Sequence, residues 1–335
     1  MKPAREMCSL SAPVFLLPGW AERWWKMKKR ILIIWLMLVF VLVGTADYCI
    51  AGAIVAWGRN ENGQCNAPSG DDYVSFDAGA GHSLALKSDG SITAWGGSYY
   101  GECNVPEGND FAAVAAGNSH SLALRSDGSL IAWGHDMPGN VPGGNDFSAI
   151  ASTEWFSLAL RNNGSLVGWG DLDYGQNNVP SGQFIDIATG VGHSLAIRDN
   201  GSLAAWGMND YGQSDVPQGN DYIDIAAGRG HSVALKSNGS IIAWGANSNG
   251  ECNIPIGNDF VDIAANEHYT LAIRNDGSLV GWGQMFYDCP SDVPIGNDFV
   301  AISAGGAFGL VLIPEPLSLS LLALGGLAIL RKRKR

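Results

Sequence analysis

The alternation of large apolar, small and polar positions is clearest in residues 115–134, AAGNSHSLALRSDGSLIAWG, and it is written again and again along the chain. Ser121–Arg125 and Ser129–Trp133 read as two strands joined at Asp127-Gly128. Asp-Gly and Asn-Gly are strong hairpin signals because a type I′ turn needs positive φ at both central positions. The pair recurs in the same slot at Asp89-Gly90, Asn163-Gly164, Asn200-Gly201, Asn238-Gly239 and Asp276-Gly277. In the first strand Leu122 and Leu124 oppose Ser121 and Ala123; in the second, Leu130 and Ala132 oppose Ile131 and Trp133. A sheet with one wet face would show a polar residue at every other position, so these sheets are expected to be covered on both faces.

The Trp-Gly end of the pattern stands at Trp57, Trp95, Trp133, Trp169, Trp206, Trp244 and Trp282, at steps of 36 to 38 residues. A period of this size marks a repeat architecture. Two further strands fit each period: one before the glycine, as in Phe260–Ala264, and a short outer one near Val105-Pro106, Val216-Pro217 and Ile254-Pro255, where proline suits an edge. Four short strands in one period make a blade of a β-propeller. Residues Gly52–Gly70 hold only the second half of a repeat and Asn297–Ile313 only the first half. Joined, they complete a seventh blade beside six intact ones and leave no exposed sheet edge. The expected fold is therefore all-β, a seven-bladed propeller over 52–313 closed by pairing of the N- and C-terminal half-repeats.

Ala226-Ala227-Gly228, His231-Ser232-Val233-Ala234-Leu235, Asn238-Gly239, Trp244-Gly245-Ala246-Asn247 and Gly250-Glu251 together resemble the repeat of the regulator of chromosome condensation family. The resemblance runs over about residues 52–313 and implies the same seven-bladed propeller. It does not bring the nuclear role of the family's namesake. No insertion resembles that protein's exchange wedge for a small GTPase, and the charge argues against nucleic acid. Of 20 Lys and Arg, seven fall in residues 1–30 and five in 331–335, leaving eight in the propeller against 28 acidic residues. Such a domain is repelled by phosphates. Six of the eight cations share the slot before the hairpin turn: Lys87, Arg125, Arg161, Arg198, Lys236 and Arg274. Each is expected to be neutralised by the Asp or Asn two residues later.

The 45 glycines and 16% charged residues suit one large β domain. Outside it the text changes. Residues 1–26 are expected to be untranslated or disordered, with the start at Met27. Met27-Lys28-Lys29-Arg30, the apolar run Ile31–Val43 and a small-residue site at Gly44-Thr45-Ala46 or Cys49-Ile50-Ala51 read as a cleaved secretory signal over 27–51. A lipoprotein anchor is not expected at Cys49. After the propeller come Pro314, Glu315 and Pro316, the apolar run Leu317–Leu330, and Arg331, Lys332, Arg333, Lys334 and Arg335. The run reads as a short, lipid-soluble transmembrane helix held by a cytoplasmic basic cluster. This order resembles the PEP-CTERM sorting signal of Gram-negative bacteria. That resemblance implies an exosortase and the inner membrane as partners in sorting, then release to the cell surface or an exopolysaccharide matrix.

Candidate chemistry is sparse. One slot holds His82, His120, Phe156, His193, His231, Tyr269 and Phe308. One imidazole per blade, replaced elsewhere by aromatics, predicts packing and hydrogen bonding between blades rather than the convergence a metal demands. His135 and His268 stand off the slot without an evident partner in sequence. Gly81-His82-Ser83-Leu84-Ala85 and its copies lack the last glycine of a nucleophile elbow and recur in a hairpin strand, so no hydrolase site is read there. Cys65, Cys103 and Cys252 share a slot on different blades, too far apart for a disulfide. They are expected to be free, partly buried thiols, with one disulfide open where Cys289 leaves the register. The acidic loops at Asp171-Leu172-Asp173-Tyr174 and Asn209-Asp210-Tyr211 contain no twelve-residue Ca²⁺ loop. No catalytic residue, metal or cofactor is assigned.

The repeats differ in their loops, where rigid scaffolds carry function. The connection from Trp133 to Pro142 is two residues short, and Thr153-Glu154-Trp155-Phe156 replaces the usual glycine and histidine. Tyr99, Tyr100, Trp155, Phe156, Tyr174 and Tyr211 form the candidate binding surface. The expected function is a non-catalytic, secreted or cell-surface scaffold presenting propeller loops to a protein or polysaccharide. Two alternatives are an inhibitor of a secreted enzyme, since a bacterial β-lactamase inhibitor is similar to this propeller class, and a lyase or hydrolase acting in the central cavity. Carboxylates clustered at one channel mouth would mark the latter.

Overall fold

In the computed structural model the residues described are 51–135, 141–170, 174–176, 178–284 and 293–315. The expected signal segment up to residue 50, Cys289, Asp171–Asp173, Pro316, the apolar run and the basic cluster lie outside them. The described residues are all-β, and no helix among them is long and apolar enough to cross a membrane.

The strands fall into units of three, numbered here by their Trp-Gly strand. Unit 2 holds β2 (Tyr73–Ala78), β3 (His82–Lys87) and β4 (Ile92–Gly96), and unit 3 holds β5 (Phe111–Ala116), β6 (His120–Arg125) and β7 (Leu130–Gly134). Unit 4 is β8 (Phe147–Ser152), β9 (Phe156–Arg161) and β10 (Leu166–Gly170), and unit 5 is β11 (Phe184–Thr189), β12 (His193–Arg198) and β13 (Leu203–Gly207). Unit 6 is β14 (Tyr222–Ala227), β15 (His231–Lys236) and β16 (Ile241–Gly245), and unit 7 is β17 (Phe260–Asn266), β18 (Tyr269–Arg274) and β19 (Leu279–Gly283). Unit 1 draws on both ends of the domain. β20 (Ala301–Ala304) pairs with β21 (Phe308–Pro314), and β21 pairs with β1 (Gly52–Gly58) along its whole length, from Gly52 opposite Pro314 to Gly58 opposite Phe308. The two half-repeats therefore do complete one unit. Units 1 and 2 form one six-stranded sheet, joined at Gly52 and Tyr73; the other five are separate sheets.

The first strand of each unit is innermost. Each touches its counterpart in the next unit, in the order β2, β5, β8, β11, β14, β17, β20, and β20 touches β2. Packing between units uses both faces of each sheet, as the pattern requires. Ala123 and Trp133 of unit 3 pack on Leu84 and Leu86 of unit 2, while Leu122 and Leu124 pack against Phe147, Ala159 and Trp169 of unit 4. Leu84, Leu122, Leu158, Leu195 and Leu271 are fully buried. Each leucine withdraws apolar surface worth about 1.5–3 kcal/mol from water.

Two details depart from the sequence reading. The outer stretch at Val105-Pro106 and its copies is not a strand, so each unit has three strands and not four. Its polar groups are spent locally: Asn104 N–H donates to Gly101 O and Val105 N–H to Cys103 O, while Pro106 has no donor to offer. The hairpins are also not type I′. Gly128 has φ +82° but Asp127 does not share the positive region. Gly128 N–H donates to Arg125 O and Arg125 N–H to Ser129 O, a three-residue loop closed by a glycine bulge. Asp127 Oδ1 accepts the N–H and the hydroxyl of Ser129 at 2.9 and 2.6 Å, which holds it in place.

The strands define two ends. At the turn end lie the Asp/Asn-Gly hairpins, the starts of the inner strands, the end of β21 and the start of β1; Phe260 N–H donates to Gly239 O and Glu315 N–H to Ala51 O. Pro314 is the buried last residue of β21 rather than standing after it. At the loop end lie the Trp-Gly exits and the loops before the histidine slot.

Candidate functional site

The histidine slot is a belt that ties each unit to the next. His82 Nε2 lies 2.9 Å from Ser121 Oγ, His120 Nε2 3.0 Å from Ser157 Oγ, His193 Nε2 2.9 Å from Ser232 Oγ and His231 Nε2 3.0 Å from Thr270 Oγ1. Ser121 and Ser232 spend their hydroxyl hydrogens on the carbonyls of Glu102 and Gln213, so His82 and His193 donate from Nε2. Burial pushes His82, His120 and His231 down to about 4 and His193 to about 3, keeping all four neutral. Tyr269 serves the same slot through a hydroxyl 2.6 and 2.7 Å from the carbonyls of Gly305 and Phe308.

Phe156 was expected on the binding surface and belongs to this belt instead. It is 1% exposed, packed with Leu158, Phe184 and Trp206. Its ring fills the place where a Cβ on Gly168 would lie 2.8 Å from Cζ; units 2, 3, 5 and 6 carry Ala94, Ala132, Ala205 and Ala243 there. Having no donor, it leaves the buried Ser194 hydroxyl of unit 5 without a partner.

The other five aromatics are exposed and lie at the loop end: Tyr99, Tyr100, Trp155, Tyr174 and Tyr211. The structure brings part of this set together. Tyr100 and Trp155 both stack edge-on against His135, with ring centroids 4.5 and 5.7 Å apart, and Tyr99 Oη donates to Asn62 Oδ1. Tyr174 and Tyr211 sit against Gly192 and Gly230, the loops of units 5 and 6. The aromatics thus spread over several neighbouring loops rather than one pocket.

Inside this arc is a cavity of about 320 Å³ lined by the inner strands and the loops that follow them. Its loop-end rim is set by one position of each repeat, which reads Ala80, Asn118, Glu154, Val191, Arg229, Glu267 and Gly306. Arg229 N–H donates to Glu267 O, and its guanidinium reaches the Glu267 carboxylate at 3.7 Å. Burial raises the Glu154 carboxyl above the usual range, Glu267 raises it further, and Arg229 opposes both. Glu267 has φ +37°, the one non-glycine positive φ among the described residues. This rim pair was missed in the sequence because 113 residues separate its members.

Deeper in the inner strands lies a row of carboxylates that the sequence reading did not single out, the Asp of FIDIA, YIDIA and FVDIA. Asp186, Asp224 and Asp262 occupy one slot of units 5, 6 and 7. Asp186 and Asp224 accept Ile187 and Ile225 N–H, and Asp262 accepts Ile302 N–H of unit 1. Burial pushes Asp186 and Asp262 up to about 6; burial and then the two neighbouring aspartates push Asp224 to about 8. Asp77 is raised by burial as well, though it accepts Ala116 N–H and the Ser303 hydroxyl, both at 2.8 Å.

At the turn end five of the six slot cations are neutralised, but by a different partner than the sequence implied. Lys87, Arg125, Arg161, Lys236 and Arg274 pair with Asp72, Asp110, Asp146, Asp221 and Asp259, each 15 residues earlier and not two later. Each also covers an aromatic ring of its inner strand, as Arg125 does Phe111 at 4.7 Å. Arg198 covers Phe184 and donates to Ser181 O. Cys65, Cys103 and Cys252 are free thiols 3.1–3.4 Å from a backbone carbonyl six residues earlier, and burial pushes Cys65 and Cys252 up to about 11. Among the described residues no three His, Cys, Asp or Glu side chains are grouped to hold a metal ion.

The model of the Regulator of chromosome condensation (RCC1) repeat matches residues 73–102, 111–136, 147–176, 184–213 and 222–251. No curated protein sequence matches the chain significantly. Among solved structures, Prp20p from Saccharomyces cerevisiae superposes with TM-score 0.68 at 17% identity, over 82% of this chain and 94% of that one. Its description names binding to Gsp1p and histones. Human WBSCR16 superposes with TM-score 0.66 at 17% identity, over 79% and 100% of the two chains. The ectodomain of the Physcomitrella patens receptor kinase CR4 gives 0.61 at 26% identity, over 72% and 69%. Five segments of the chain thus match the regulator of chromosome condensation repeat, and its tandem three-stranded units have the propeller-like fold of the structures that carry it.

Proposed function

We propose that this chain is a secreted, seven-bladed propeller that binds a protein or an exopolysaccharide at its loop end and performs no catalysis. The ring reading is supported by the run of inner-strand contacts from β2 round to β20 and back to β2. The binding reading rests on one observation: exposed tyrosines and Trp155 flank a polar cavity rim at the loop end. Aromatic faces beside hydrogen-bonding groups suit sugar rings and protein hot spots alike. Protein binding by Prp20p is in keeping with such use of the fold. The 28 acidic residues against eight basic argue against a nucleic-acid partner here. The secretory signal over 27–51 and the PEP-CTERM resemblance from Pro314 onward support export, handling by an exosortase at the inner membrane, and display at the cell surface or in the matrix of a Gram-negative bacterium. Pull-down from cell-surface extract and a glycan array test the binding reading, with Trp155→Ala and Tyr100→Ala as controls. Retention that falls tenfold or more in both supports it; retention unchanged in both overturns it.

A second reading has one observation in its favour. Glu154 and Glu267 both line the cavity, where burial and then Glu267 raise the Glu154 carboxyl, and a raised carboxyl near a second carboxyl suits acid–base work. If the chain is a lyase or hydrolase, Glu154→Gln abolishes turnover of a bound polysaccharide while leaving its retention intact. In the binding reading no turnover is present to lose. A single stoichiometric enzyme in the pull-down would instead point to inhibition.

A further inference from the structure

The repeats are nearly alike, so a surface difference confined to some of them is informative. At the turn end the second position of the inner-strand repeat is the half-buried Val74 in unit 2, packed on the core, and elsewhere faces outward. It is Ile185 in unit 5, Ile223 in unit 6, Val261 in unit 7 and Val300 in unit 1, all exposed, but Ala112 in unit 3 and Ser148 in unit 4. The tip of the connection leading into each unit behaves the same way. It is Ile256 before unit 7 and Ile295 before unit 1, at 98% and 104% exposure, but Ser69, Glu107, Gly143, Ser181 and Gln218 elsewhere. Six large aliphatic residues therefore lie in one arc over units 5, 6, 7 and 1. Nothing in the packing of the domain requires them, since their neighbours at positions 184, 222 and 260 are already buried.

The arc ends where the chain leaves the domain. Val300 N–H donates to Leu312 O, two residues before Pro314, and Pro314 lies opposite Gly52 at the turn end. The apolar run begins at Leu317, after Glu315 and Pro316. Two residues span at most about 7 Å. If that run enters lipid, as the anchored form under the proposed function requires, the turn end has nowhere to stand but against the bilayer. We propose that the turn end of the propeller is a lipid-facing surface, with Ile185, Ile223, Ile256, Val261, Ile295 and Val300 resting in the interface of a bilayer and the loop end directed away. This rests on the anchor reading of 317–330. Lipid accounts for the arc's position beside the exit, its breadth and its lack of a groove.

The test uses the full chain with phosphatidylcholine vesicles, read by co-sedimentation and by amide hydrogen exchange. The expected result is co-sedimentation with exchange slowed at least threefold in 254–262 and 294–301, while the loop-end stretches 97–101 and 209–212 exchange as before. In Ile256→Ser/Ile295→Ser the slowing should fall at least twofold while co-sedimentation persists, because the apolar run is untouched. Chain that stays in the supernatant sinks the anchor reading and this inference with it. Chain that sediments without slowing at the turn end, or with slowing at the loop end, overturns the inference alone. Slow exchange in 254–262 and 294–301 before vesicles are added, unchanged by them, also overturns it. If that slowing is concentration-independent, the arc is covered by the chain itself; if it grows with concentration, by a second copy.

Discussion

Ser194 and Ser232 occupy the same slot of neighbouring units, and removing their hydroxyls should move stability in opposite directions. Ser232 is bonded twice: it donates to Gln213 O at 2.8 Å and lies 2.9 Å from His193 Nε2. Ser232→Ala deletes both bonds and strands a buried imidazole N–H, a loss of about 2–3 kcal/mol. Ser194 is equally buried but faces Phe156, and its hydroxyl has no partner. An unsatisfied buried hydroxyl costs about 1–3 kcal/mol, so Ser194→Ala should stabilise by about 1 kcal/mol after the small loss of packing. The two variants should differ by about 3 kcal/mol. Urea titration followed by tryptophan fluorescence, with the slope held fixed between variants, measures both. In thermal scans the separation is on the order of 6–12 °C for a domain of this size. Equal losses in the two variants would refute the claim that the His193–Ser232 bond ties unit 5 to unit 6 and that its counterpart is missing where Phe156 meets Ser194.

Further outcomes follow from the same geometry. The neutral histidines bind protons only below about 4, against 6.5 when unfolded, so their stabilisation is present above 6.5 and is lost as pH falls through that window. Asp186, Asp224 and Asp262 run the other way: their folded values are raised, so their contribution is greatest at low pH and is lost as pH rises. The four histidines outweigh the three aspartates at lower pH, so stability should rise between about pH 4.5 and 6.5 and then decline between about pH 7 and 8 at up to about 0.7 kcal/mol per pH unit, a decline that Asp224→Asn removes in urea titrations at those pH values. Cys65→Ser, Cys103→Ser and Cys252→Ser should each change stability by less than about 1 kcal/mol, because Ser214 already donates to Met208 O in that slot of unit 5. The raised thiols should resist iodoacetamide at pH 8 in the folded chain and react on unfolding, as mass spectrometry would show. Leu122→Ala, at the centre of a face between units, should cost about 2–5 kcal/mol in the same urea assay.

Much of the architecture was legible because the repeat wrote it seven times. The two-sided strands, the Trp-Gly period and the complementary half-repeats all reappear, down to Ala123 and Leu122 facing different neighbours. What the sequence obscured is local chemistry with a choice of partners. Asp127 could have neutralised Arg125 or capped its own turn; Ser129 claims it, and Arg125 turns to Asp110. Asp-Gly fits a two-residue turn or a three-residue bulged one, and the residues alone do not decide. Proline at Val105-Pro106 was taken as an edge-strand mark, whereas its missing donor ends pairing altogether. Phe156 shows how an aromatic in a loop-like context can serve as a belt residue, a role that its alignment with His82 and His120 already contained. Glu154 and Glu267 line one cavity from units 4 and 7, which no local pattern reveals.

The account's central claim is a division of labour between the two ends of the propeller, and retention on cell-surface material tests it most directly. Tyr100→Ala/Trp155→Ala at the loop end should lose at least tenfold in retention from detergent-solubilised extract, while Ile256→Ser/Ile295→Ser at the turn end should match the unmodified chain. Loss in the turn-end variant with full retention in the loop-end variant would contradict it.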